Sequence, residues 1–130
     1  MKVHDLAEAK LDFWTAKAAG IPEPRILDGV CMIGASQGKQ TAFGTPMVHY
    51  RPSSHWADGG PLMESERISV WRYPDLDSWH ACVEFGFERD EGLKAKHYYQ
   101  GPTPLIAAMR CFISSKLGNE VSPELSHEPD

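Results

Sequence analysis

The chain has 130 residues, enough for one hydrophobic core that buries roughly two-thirds of the unfolded surface without help from disulfides or metal. Apolar residues make up 42% and charged residues 24%, which excludes a disordered or fibrous chain. Thirteen Lys and Arg against eighteen Asp and Glu leave a net charge of −5, which speaks against a nucleic-acid clamp.

The first predicted element is a helix opened by Asp5 and Glu8 at capping-box spacing and running to about Ala19. Gly20 supplies its left-handed end and Pro22 its stop. Ala7, Leu11, Trp14 and Ala18 form one apolar stripe, and Leu6, Ala9, Phe13 and Ala16 form a second. Such a helix should be covered on more than one side. Asp28-Gly29, between Ile26-Leu27 and Val30–Ile33, predicts a two-residue hairpin. Gly34 to Gly44 reads as a loop, and Pro46 to Tyr50 as a short edge strand.

Ser53 is placed to cap a single turn through Ala57 that Gly59-Gly60-Pro61 should break. That bend should fold the Trp56 indole back into the core. Ile68–Tyr73, Ala81–Phe87 and Leu93–Tyr99 then predict an antiparallel meander with one buried face. The last helix spans 104–117, with Thr103 as N-cap, Pro104 in its first turn and Gly118 beyond its end. Its apolar face is Leu105, Ile106, Met109, Phe112, Ile113 and Leu117. Ala107, Cys111 and Ser114 lie behind, small and uncharged, so that this back suggests a two-fold dimer or a docked partner.

Several motifs imitate chemistry. Gly34-Ala35-Ser36-Gln37-Gly38 has the G-x-S-x-G spacing of a nucleophile elbow, but no helix follows it. Gly34, Gly38 and Lys39 imitate a P-loop, yet one residue is missing between the glycines and Gln40 stands where Ser or Thr belongs. His49 and His55 lie near Asp58 and Glu64, and His80 alternates with Cys82, but no metal-ligand spacing occurs. Trp56, Trp71, Trp79, Tyr98 and Tyr99 have no basic residues interleaved, so packing is favoured over a base-stacking platform. The Thr103 helix end attracts anions in principle, but its own cap satisfies the free amides. No cofactor or metal is implied. Cys31, Cys82 and Cys111 are odd in number and form no C-x-x-C pair, so unpaired thiols are expected. With no apolar run of membrane-spanning length and no secretory layout at Met1–Asp5, the expected location is the cytoplasm.

Three segments together are more specific than any of these motifs. Leu11-Asp12-Phe13-Trp14-Thr15-Ala16-Lys17-Ala18-Ala19-Gly20 resembles the "L-D-x-W-x-A-K-A-x-G" opening of the phage NinX family. Tyr50 to Glu64, with Ser53, Trp56, Gly59, Gly60 and Pro61, resembles its "S-P-S-x-x-W-x-x-G-G-P-[IL]-[IL]-E". Gly101 to Gly118 resembles its closing "G-x-T-P-L-x-A-A-M-R" helix. The Gly34–Thr45 loop and the connectors at 75–78 and 88–92 depart from the pattern. The resemblance implies a small protein of temperate phages or prophages, hence a host bacterial cytoplasm. It supplies no catalytic residue, since its motif positions are mainly turns, caps and packing residues.

The expected fold is α+β, a single domain over 1–121 with a flexible polar tail at 122–130. An antiparallel sheet, a meander with an added hairpin, is flanked by the N-terminal and C-terminal helices. Two functional readings follow. The leading one is a non-catalytic accessory module that binds a host or phage protein, with a homodimer as a further association and no membrane or nucleic acid involved. The alternative is a small-ligand-binding protein or enzyme with a pocket near 53–64 and the 103–110 helix end. Ser53, Trp56, Asp58, Glu64, Thr103 and Arg110 are its candidate binding residues, with none catalytic.

Overall fold

The computed structural model describes residues 1–34, 46–88 and 92–122. The Ser36 and Lys39 motifs and most of the predicted C-terminal tail lie outside those residues. The fold is α+β: three helices and two three-stranded antiparallel sheets. A 3-10 turn over Val3–Asp5 leads into α1 (Glu8–Ala18). Strands β1 (Arg25–Leu27), β2 (Val30–Gly34) and β3 (Met47–His49) make the first sheet. Helix α2 (Trp56–Ser65) follows, then β4 (Ile68–Trp71), β5 (Trp79–Glu88) and β6 (Gly92–Gly101) make the second. Helix α3 (Pro104–Leu117) ends the domain core.

Helix α1 lies between the β1–β2 hairpin and α3, and α3 lies across the second sheet with α2 beside it. This stacking explains the two apolar stripes of α1: every residue from Leu11 to Ala16 is buried. Phe13 and Trp14 meet edge to face at 5.4 Å between ring centres. The cover on α1 comes from the hairpin and α3. The small back of α3 is also covered within the chain. Ala107 and Cys111 are fully buried and Ser114 nearly so, with the Cys111 thiol donating to the His97 carbonyl at 2.8 Å. The face that suggested a two-fold contact is thus spent on the chain's own second sheet.

Several elements form as the sequence predicts. Asp28 and Gly29 both take positive φ, 54° and 77°, which a two-residue primed turn requires. Gly20 ends α1 at φ 80°. Thr103 caps α3 by accepting from the Ile106 amide at 3.1 Å, and Gly118 follows it at φ 94°.

Three local expectations are corrected. Asp5 does not cap α1: it sits in the preceding 3-10 turn beside His4, and Ala7 takes the extended cap position without a side-chain bond. Ser53 does not cap a single broken turn either. The helix there starts after His55 and runs ten residues through Gly59, Gly60 and Pro61. Packing explains the glycine. A Cβ on Gly59 would collide with the Pro52 carbonyl oxygen and lie 2.8 Å from Leu105 Cδ2, so Gly59 marks close approach rather than a break. Because the helix continues, Trp56 stands on its first turn, 56% exposed, not in the core. Its ring lies along Gly60, one turn on.

Candidate functional site

The three sequence segments that carry the resemblance meet at one buried junction. Asp12, on α1, is 4% exposed. Its carboxylate accepts the backbone amide of Ser53 at 2.8 Å, a tie across forty-one positions of sequence. Asp58, in the first turn of α2, accepts the Arg51 amide at 2.9 Å and closes the intervening loop. Gly59 then brings α2 against Pro52 and Leu105 of α3. A recess of about 230 Å³ opens beside this junction, lined by Asp12, Arg51, Ser53 and Ile106 among others.

Burial pushes the Asp12 carboxyl above the ordinary aspartate value, against the Ser53 hydrogen bonds that favour the ionised form, and Asp58 adds repulsion. The folded chain therefore holds an extra proton in the window above 3.8. Its contribution to stability is present below that window and declines as pH rises through it. Asp12→Asn keeps an acceptor for Ser53 and should flatten this decline. Asp12→Ala leaves a buried amide unpaired and should cost about 1–3 kcal/mol. Chemical denaturation of the three proteins between acid and neutral pH checks both outcomes.

The structure gathers some predicted site residues and separates others. Ser53 and Asp58 share the junction, and Thr103 caps α3. Glu64 lies at the far end of α2, by a depression that also contains Arg67 and Ser69. Arg110 lies on the other side of α3 and is engaged by backbone. Its guanidinium donates to the Leu6 carbonyl at 3.1 and 3.0 Å and to the Gln100 carbonyl at 2.6 Å. Burial lowers its pKa, with Asp5 working against that shift.

Three features go beyond the sequence reading, which named Trp71, Tyr98 and His80 but not their meeting. The first is Asp12 itself, whose signal was a charge set between Leu11 and Phe13 in an apolar stripe. The second is an aromatic cluster on the face of the second sheet turned away from α3. There Trp71 stacks on His80 at 5.6 Å, with Tyr73 and Tyr98 against the same imidazole at 5.2 and 5.5 Å. His80 is 3% exposed; its Nδ1 is hydrogen-bonded to the Tyr98 hydroxyl, and its Nε2 has no partner among the described residues. The alternation of His80 with Ala81 was readable, but not the aromatic cover brought by β4 and β6. The third is an open groove of about 760 Å³ between the N-terminal segment, β6 and Asn119-Glu120.

His97 on the wall of that groove pairs with Ser114 buried behind it, Nδ1 and Oγ 2.9 Å apart. The Ser114 hydroxyl donates to Asn119 Oδ1 at 3.0 Å, and the Tyr99 hydroxyl donates to the same oxygen at 2.9 Å. The proton of Ser114 is thus directed away from the imidazole, the reverse of what an activated nucleophile needs. The thiols are equally passive. Cys31, Cys82 and Cys111 are free and buried, and burial pushes Cys31 and Cys111 up to about 12.

No curated protein matches the chain significantly. The family described as Bacteriophage P22, NinX, matches it over residues 2–116. That span takes in all three motif segments up to the last turn of α3, and the chain belongs to the NinX family of phage proteins.

Proposed function

We propose that this phage protein is a non-catalytic protein-binding module, acting in the host bacterial cytoplasm by docking on a host or phage protein. The observation that carries this reading is the aromatic face of the second sheet. Tyr73, Leu76 and Tyr98 are 49%, 44% and 47% exposed there, around a buried His80. The Tyr73–Leu76 turn is closed by a backbone bond of 3.1 Å, so Leu76 stands beside the cluster. Interfaces are enriched in such rigid aromatic anchors, which bring large contact area at little entropic cost. Helices α1 and α3 turn their apolar faces onto each other and onto the chain's own strands, while α2 exposes Trp56 alone among its large apolar residues.

The alternative, a ligand pocket near 53–64 and the 103–110 helix end, draws less support. The recess there is about 230 Å³, below the roughly 300–1,000 Å³ of typical ligand pockets. Its Asp12 and Ser53 are spent on each other.

The test is capture from phage-infected host lysate on immobilised full-length protein, read by mass spectrometry against a Tyr73→Asp, Leu76→Asp double variant. The expected result is a partner held by the wild type and lost by a double variant of unchanged thermal midpoint. Equal capture by both proteins would contradict the reading. Sedimentation of the same pair shows whether the partner is a second copy of this chain.

A further inference from the structure

We infer that the groove between the N-terminal segment and β6 binds a phosphate-bearing small molecule with an aromatic ring, of about mononucleotide size. The site meets the protein-docking face at Tyr98, which belongs to both, but the rest of its lining is distinct and the inference does not depend on that proposal. Its volume, about 760 Å³, falls within the range of roughly 300–1,000 Å³ common to small-molecule sites.

The charge distribution points to an anion. On a chain of net charge −5, this groove is lined by Lys2 and Arg110, the imidazoles of His4 and His97 and the carboxylate of Glu120, with Asp5 3.1 Å from His4. Concave, cationic surfaces raise the local concentration of anions, and more so where the donors are already fixed. Arg110 is such a donor, and His97, whose Nδ1 lies 2.9 Å from Ser114 Oγ, has its ring fixed on the groove wall. Arg110 commits three N–H groups to the Leu6 and Gln100 carbonyls, and a guanidinium has five. Two N–H groups remain, as many as a phosphate takes up through a pair of its oxygens.

The ring preference comes from Tyr98. It lines the groove, is 47% exposed, and is braced from behind by the His80 imidazole and by Trp71 at 6.0 Å. A braced, exposed phenol is a stacking surface that loses little entropy when a planar ligand settles on it. The β-bulge that turns the strand at this point also places His97, at φ 54°, on the groove lining.

Isothermal titration with adenosine monophosphate, adenosine and inorganic phosphate, at low and high salt, tests the inference. Adenosine monophosphate should bind saturably at low salt, and adenosine and phosphate should each bind at least about tenfold more weakly. A Lys2→Glu, His4→Ala double variant should lose at least about tenfold in affinity for the monophosphate, with its thermal midpoint unchanged. Absence of saturable binding would overturn the proposal. So would phosphate binding as tightly as the nucleotide, or affinity unchanged in the folded double variant.

Discussion

Replacing Arg110 by alanine should destabilise the protein by about 3 kcal/mol or more, the largest loss expected from a charged residue among the described residues. The guanidinium serves two carbonyls that come from opposite ends of the sequence, Leu6 before α1 and Gln100 at the end of β6. Hydrogen bonds to a charged donor contribute about 1.5–3 kcal/mol each, and both carbonyls lose theirs at once. The N-terminal segment that lines the groove would lose its anchor to α3. Arg110→Lys should recover only part of the loss, because one ammonium cannot reproduce the planar fork that reaches both oxygens. Thermal and urea unfolding of the two variants gives the comparison.

Two adjacent glycines should respond with opposite signs. Alanine at Gly59 places a Cβ against the Pro52 carbonyl oxygen, a backbone atom that cannot rotate aside, and 2.8 Å from Leu105 Cδ2. Separation of α2 from the 51–54 loop should cost about 1–3 kcal/mol, outweighing the gain of up to about 1 kcal/mol that alanine brings to a helix. At Gly60 the nearest atom is Trp56 Cε3, at 3.9 Å, an ordinary contact. Gly60→Ala should therefore stabilise by about 0.5–1 kcal/mol. Urea midpoints for the pair read the signs directly; destabilisation by both would mean that the helix, not the packing, needs the glycines.

Much of the fold was legible because local chemistry and tertiary structure agree. The Thr103 cap, the Asp28-Gly29 turn and the Gly20 stop are set by backbone dihedrals and hydrogen bonds within a few residues. The meander followed from two-residue alternation, which β5 keeps from Trp79 to Val83 with Ala81 and Val83 on the core side. The failures share a cause. Gly59-Gly60-Pro61 reads as a breaker by propensity alone, yet Gly59 is required by a helix and a loop distant in sequence. Once α2 continued through it, the expected burial of Trp56 was lost. Asp5 had the spacing of a cap, but Leu6 is buried and its carbonyl goes to Arg110, so the chain stays extended until Ala7. The aromatic face and the groove join residues from β4, β5, β6 and the N-terminal segment, and no short window of sequence contains either.

The three family motif segments close one buried junction, and the residues of that junction hold the fold. Native-state hydrogen exchange of the Ser53 amide tests it most directly. That amide donates to Asp12 at 2.8 Å inside the protein. It should exchange only on global unfolding, with a protection free energy equal to that of the α3 core amides, and Asp12→Ala should release it. Exchange of Ser53 by local opening, well ahead of the α3 core, would contradict the claim.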